Sequence, residues 1–193
     1  MTASPPPRIP KTIVLIGMMG AGKTCIGRRL AARLGLSFVD ADSKIAEAAG
    51  CSITDIFAVH GEAAFRDGER RVIARLLEEP VHVLATGGGV FMDERIREKI
   101  RERGISVWLR VDIDLLLRRV SRRNTRPLLE KGDRRRILEK LMAERYPKYA
   151  EADIIVDSVE APPEATVDRV LQALGDYLDR TGERIPDLER ARP

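Results

Sequence analysis

The sequence predicts an α/β fold: a doubly wound sandwich with a parallel sheet enclosed between helices. Three observations carry that expectation. Five short runs rich in β-branched and aliphatic residues recur along the 193-residue chain, at 12–16, 37–40, 81–86, 105–110 and 153–157. They are apolar at successive positions rather than alternating with polar ones, the pattern of strands covered on both faces. Between them lie segments long enough for helical crossovers, some with apolar residues at helical spacing: Ile26, Leu30 and Leu34, then Val167, Val170, Leu171, Leu174 and Leu178. The third observation is a glycine-rich turn between the first strand and the first helix, as in βαβ units.

Residues 1–10 are proline-rich and predict a disordered tail, as does the polar stretch 181–193, leaving a single domain over 11–180. The apolar run TIVLI, residues 12–16, is the first strand. Residues 17–24, GMMGAGKT, match G-x-x-x-x-G-K-[ST] at every fixed position, with a strand before and a helical pattern after. Glycines let such a loop curl until its N–H groups point inward at phosphate oxygens, and the helix N-terminus adds partial positive charge. Gly20, Ala21, Gly22, Lys23, Thr24 and Cys25 are therefore expected to hold a nucleoside triphosphate, ATP. Lys23 would meet its β- and γ-phosphates and the Thr24 hydroxyl the bridging Mg2+.

The next strand, SFVD, leads into DADSK. Asp40 and Asp42 stand at the strand end, where ligands of such sheets bind. Either could hold Mg2+ through water or orient an acceptor hydroxyl. Asp42 could also do no more than cap the helix opening at Ser43. Within GEAAFRDGE, residues 61–69, Phe65 belongs to an apolar stripe with Val72, Ile73 and Leu76. From spacing alone, Arg66 reads as an ion-pair partner of Glu62 or Glu69. The run VHVLAT then meets Gly87, Gly88 and Gly89, more glycine than a hairpin needs, which implies backbone pressed against a ligand with its N–H groups turned inward. After the strand ISVWLR, residues 118–136 carry nine basic residues against two acidic ones. A solvated helix or a nucleic-acid patch would look similar. In a nucleotide-binding protein, a proline-containing basic loop also suits a lid over triphosphate.

Composition narrows the classes. With 4% aromatic residues, single-strand stacking platforms are not expected, and a net charge of +4 suits anionic small molecules. Cys25 and Cys51 are too few for a disulfide framework, and no run approaches the roughly 20 apolar residues of a membrane span. With no signal-peptide pattern at the N-terminus, a cytoplasmic setting is expected.

Taken in order and spacing, GMMGAGKT, DAD, FRDGE, ATGGGV, RPLL and ERYPKY resemble the shikimate kinase family, over about residues 12–175. The resemblance implies a five-stranded parallel sheet in the order 2-3-1-4-5, a substrate-binding segment at about 41–75 and a mobile lid at about 119–133. It implies transfer of the ATP γ-phosphoryl group to the 3-hydroxyl of shikimate, on the route to chorismate and the aromatic amino acids. By the same resemblance Asp40 assists Mg2+ through water and Asp42 binds the acceptor hydroxyls. Arg66 and Arg145 grip the shikimate carboxylate, and Gly87, Gly88 and Gly89 line that pocket. Arg126 approaches the transferred phosphate, and Arg119 packs on adenine. Lys23, Asp42 and Arg126 form the implied catalytic set. Lys148 departs from the family, which commonly has leucine there. The expected partner is shikimate, with no nucleic acid and no membrane, and a monomer is the default. A gluconate kinase of the same fold and a nucleic-acid-binding NTPase are the rival readings.

Overall fold

The computed structural model describes residues 9–121 and 133–182. Five strands, β1 (Thr12–Ile16), β2 (Ser37–Asp40), β3 (His82–Ala85), β4 (Gly104–Arg110) and β5 (Ile154–Asp157), form one sheet in the order β2-β3-β1-β4-β5. Every pairing is parallel. The central strands are buried throughout because helices cover both of their faces. The two edge strands depart from that expectation. β2 is only partly buried, and β5 alternates, with Ile155 and Asp157 exposed, because an edge strand lacks one neighbour's cover.

Eight further elements complete the described chain: α1 (Lys23–Leu34), α2 (Ala41–Ala49), α3 (Ile53–Leu76), a 3₁₀ turn (Val90–Met92), α4 (Glu94–Arg103), α5 (Ile113–Ser121), α6 (Arg134–Tyr149) and α7 (Pro163–Thr181). α1 and α7 pack on each other and on the sheet, while α3 packs with α4 and α4 with β4. The predicted stripes are the buried ones: Ile26, Leu30 and Leu34 of α1, and Val167, Val170, Leu171, Leu174 and Leu178 of α7. Phe65, Val72, Ile73 and Leu76 of α3 are buried as well. Sequence reading did not show the break in α3. Gly61, at φ 77° and ψ 176°, is non-helical and divides it into two helical pieces. A side chain would be strained in that left-handed conformation.

The topology itself positions the site. β2, β3 and β1 are adjacent, and their register sets Asp40 and Leu15 each level with Ala85. All three strands therefore release their chain at one edge, the carboxyl edge where such sheets bind ligands. The phosphate loop, the aspartate pair and the triple glycine, remote in sequence, emerge there side by side.

Candidate active site

The phosphate loop is built from backbone conformations that only glycine takes readily. Gly17, Gly20 and Gly22 have φ of 141°, 82° and 98°. The curl brings Lys23 back over its own loop, where Nζ donates to the carbonyls of Gly17 at 2.8 Å and Met18 at 3.0 Å. An ammonium placed there sits at the N-terminus of α1, where an anion is favoured. Thr24 Oγ1 donates to Asp40 Oδ2 at 3.0 Å. The other Asp40 oxygen accepts from the N–H groups of Asp42 at 3.1 Å and Ser43 at 3.4 Å. Asp40, not Asp42, is thus the cap of α2. The helix opens at Ala41 rather than Ser43, and Asp42 lies in its first turn.

A cleft of about 910 Å³ runs from this loop past Asp40 and Asp42 to Gly87 and Gly88. Arg119 forms part of its wall, donating to the Ala21 carbonyl at 3.3 Å, to Ser158 Oγ at 3.0 Å and to the Val159 carbonyl at 3.1 Å. Burial lowers its pKa from the ordinary value. Cys25 also lines the cleft, with Arg29 Nη1 3.1 Å from its Sγ. Both cysteines are free thiols.

The triple glycine is explained by space rather than by backbone conformation. None of Gly87, Gly88 and Gly89 has a positive φ. A methyl group on Gly87 would stand 3.0 Å from Asp42 Oδ1 and 3.2 Å from Glu69 Oε1. On Gly88 it would stand 2.9 Å from Arg145 Nη1, and on Gly89 2.5 Å from Arg66 Nη1. The loop is therefore pressed against side chains: three successive glycines make room for one carboxylate pair and two guanidinium groups. The sequence pattern did not reveal this spatial reason for the glycines. The loop also brings together the three groups that the sequence put in separate segments: Asp42 from α2, Arg66 from α3 and Arg145 from α6.

Supporting residues hold these groups. Arg66 pairs with Glu69 at 2.7 Å and Glu62 at 3.3 Å, so the spacing-based ion pair is present in addition to its place against the glycine loop. Glu69 is 2% exposed. Burial pushes its carboxyl above the usual range, against the opposing pull of Arg66 and with the Asp42 charge adding to the rise. Its i,i+3 spacing from Arg66 was visible in sequence; its burial beside Asp42 was not. Tyr149, fully buried, donates to the Gly88 carbonyl and hydrogen-bonds with Arg145. Burial raises the Tyr149 phenol above its ordinary value and pushes that of Tyr146 up to about 12. Both rings pack against Trp108, at 5.8 Å and 4.9 Å between centroids. They fix the end of α6 on β4. Arg126 lies outside the described residues, as do most of the expected lid and both expected tails.

Hard oxygen donors at Thr24 and Asp40 suit a magnesium ion that takes most of its ligands from phosphate and water. Among the described residues there is no cluster of three or more His, Cys, Asp or Glu side chains that could hold a metal unaided. No helix among them is long and apolar enough to cross a membrane.

A phosphate loop on a 2-3-1-4-5 parallel sheet, beside a glycine loop against which an aspartate and two arginines pack, defines a P-loop kinase that phosphorylates a small molecule. Comparison with known proteins narrows this. The family model described as shikimate kinase matches residues 19–175. A shikimate kinase of Paramagnetospirillum magneticum is 62% identical over 172 residues, covering 89% of this chain and 88% of its own. One of Rhodopseudomonas palustris is 56% identical over 168 residues, covering 87% and 83%. A solved shikimate kinase of Acinetobacter baumannii, in complex with shikimate, superposes with a TM-score of 0.80 at 37% identity, over 84% of this chain and 91% of that one. The chain belongs to the shikimate kinase family.

Proposed function

We propose that this cleft carries out the family's reaction with a division of labour readable in its geometry. The reaction moves the γ-phosphoryl group of ATP to the 3-hydroxyl of shikimate, giving shikimate 3-phosphate and ADP, in the biosynthesis of aromatic amino acids. Shikimate is a small carboxylate with neighbouring hydroxyls. Arg145 beside Gly88 and Arg66 beside Gly89 grip its carboxylate, each able to bind it in bidentate fashion. Asp42, at the opposite end of the pocket toward the phosphate loop, orients the 3-hydroxyl in line with the γ-phosphorus. Positioning of this kind lowers a barrier by roughly 7–11 kcal/mol. Because phosphoryl transfer is largely dissociative, Asp42 accepts the hydroxyl proton late, after P–O cleavage is advanced.

On the nucleotide side, Lys23 transfers its hydrogen bonds from the Gly17 and Met18 carbonyls to phosphate oxygens. Thr24, and Asp40 through water, would hold Mg2+, which would supply charge neutralisation to the triphosphate. Arg119 flanks the base, and Arg126 of the lid meets the transferred group. Residues 41–75 serve as the substrate-binding segment and 119–133 as the lid. The enzyme works as a cytoplasmic monomer, without nucleic acid or membrane.

The observation that carries this assignment of roles is the meeting of Asp42, Arg66 and Arg145 around three consecutive glycines beside the phosphate loop. The test is ADP release with ATP, Mg2+ and shikimate. Release that requires shikimate is expected. Release that ignores it, or that answers equally to gluconate, would overturn the substrate assignment. Tight, steeply salt-dependent binding of DNA or RNA would favour the nucleic-acid reading instead.

A further inference from the structure

Arg97 lies on α4, outside the cleft, and is 5% exposed. Its Nη1 donates to the carbonyls of Phe91 and Met92, both at 3.0 Å. These are carbonyls of the 3₁₀ turn Val90–Met92, at the end of which helical partners run out. The turn is tied back onto the glycine loop, with the Val90 N–H donating to the Gly87 carbonyl at 3.3 Å and the Met92 N–H to the Gly89 carbonyl at 3.0 Å. Arg97 thus holds the loop through the turn that follows it.

The same guanidinium reaches the other half of the pocket. Arg97 Nε is 3.3 Å from Glu151, though not aligned for a hydrogen bond. Glu151 follows the end of α6 and also pairs with Arg101 at 2.9 Å and Lys148 at 3.2 Å. α6 carries Arg145 and Tyr149. Loop and helix are therefore joined twice: by buried Tyr149 on the Gly88 carbonyl, and by Arg97 with Glu151. A buried cation is costly unless its hydrogen bonds are met, and an apolar side chain would fill this space without that cost. What the cation adds is a grip on two backbone carbonyls at a fixed distance from α6.

The geometry points to Arg97 as a positioning residue for acceptor recognition: it holds residues 87–89 against α6 so that Arg66 and Arg145 present their guanidinium groups at one fixed separation. This rests on the reading that those two arginines bind the acceptor carboxylate. The test is steady-state kinetics on the full chain, with shikimate and ATP varied separately, for wild type, Arg97→Met, Arg97→Lys and Glu151→Gln. For Arg97→Met, the KM for shikimate should rise about tenfold or more while that for ATP moves less than about twofold. Arg97→Lys, which keeps one donor for the carbonyls, should recover part of that rise. Glu151→Gln should show a smaller rise of about threefold, again confined to shikimate. If Arg97→Met fails to fold by circular dichroism, the lysine and Glu151 variants decide. An unchanged KM for shikimate in the folded variants, or equal rises for both substrates, overturns the inference. A wild-type enzyme that shows no shikimate-dependent turnover overturns the proposed function instead.

Discussion

The molecule contains two glycine loops at one sheet edge, and they use glycine for different reasons. In the phosphate loop Gly17, Gly20 and Gly22 all take positive φ, so the residue supplies a backbone conformation. In the loop at 87–89 no φ is positive, and the residue supplies volume for Asp42, Glu69, Arg66 and Arg145. The first loop is a local device whose function is written in eight consecutive residues. The second has no function until four remote side chains arrive. One loop is shaped by its own backbone; the other makes space for side chains from elsewhere in the fold.

The contrast can be tested by changing each half separately. The largest expected effect is Asp42→Asn, which should lower kcat by about 10²–10⁴-fold while ATP affinity stays near wild type. Near-normal kcat would show that the carboxylate belongs to the fold and not to the acceptor. Next is Gly89→Ala, whose methyl would displace the Arg66 guanidinium; loss of a charge-assisted contact of roughly 1.5–3 kcal/mol should raise the KM for shikimate about 10–100-fold. Nucleotide affinity, read by ADP titration, should not follow.

Gly22→Ala sharpens the comparison, because only Ile26 Cγ1 lies near, at 3.7 Å, so the strain is conformational. A cost of about 1–2 kcal/mol should lower Tm by roughly 2–8 °C and weaken ADP binding. Gly22→Asn should do better than Gly22→Ala, since asparagine tolerates the left-handed region, whereas Gly89→Asn should do worse than Gly89→Ala. The same ranking at both positions would erase the distinction between the loops.

The smallest effect is a change of slope. Burial raises the Glu69 carboxyl, so the folded state holds that proton more tightly than the unfolded chain does. Its ionisation therefore removes stability as pH climbs from the ordinary Glu value through the raised one, and no further above it. Glu69→Gln should abolish that component. The Tm of wild type minus that of the variant should fall across this window and then level. A difference that rises with pH would mean that the pair with Arg66 outweighs burial.

The two halves also differed in how far they could be read without coordinates. The parallel sheet was legible because strands buried on both faces are uniformly apolar, and the boundaries of β1 and β2 agree with the predicted runs. The edge strand β5 is not enclosed as its sequence predicts, since an apolar run of three residues does not report whether a neighbour covers it. Arg66 could be paired with Glu69 from spacing, yet spacing said nothing of the glycine loop against it. Which of two aspartates, two residues apart, caps α2 is distinguished only by their hydrogen bonds: Asp40 accepts from the Asp42 and Ser43 N–H groups, so capping is not the role of Asp42.

By itself, then, the sequence determined what depends on neighbours along the chain: the phosphate loop, the strand and helix periodicities, and the i,i+3 ion pair. The tertiary structure alone decided what depends on neighbours across it: the meeting of Asp42, Arg66 and Arg145, the burial of Glu69, the tie from Arg97 to α6 and the spatial need for three glycines. The physical reason is range. Backbone conformation and helical spacing are set within a few residues, whereas the volume left for a guanidinium group is set by whatever the parallel topology brings to the same edge.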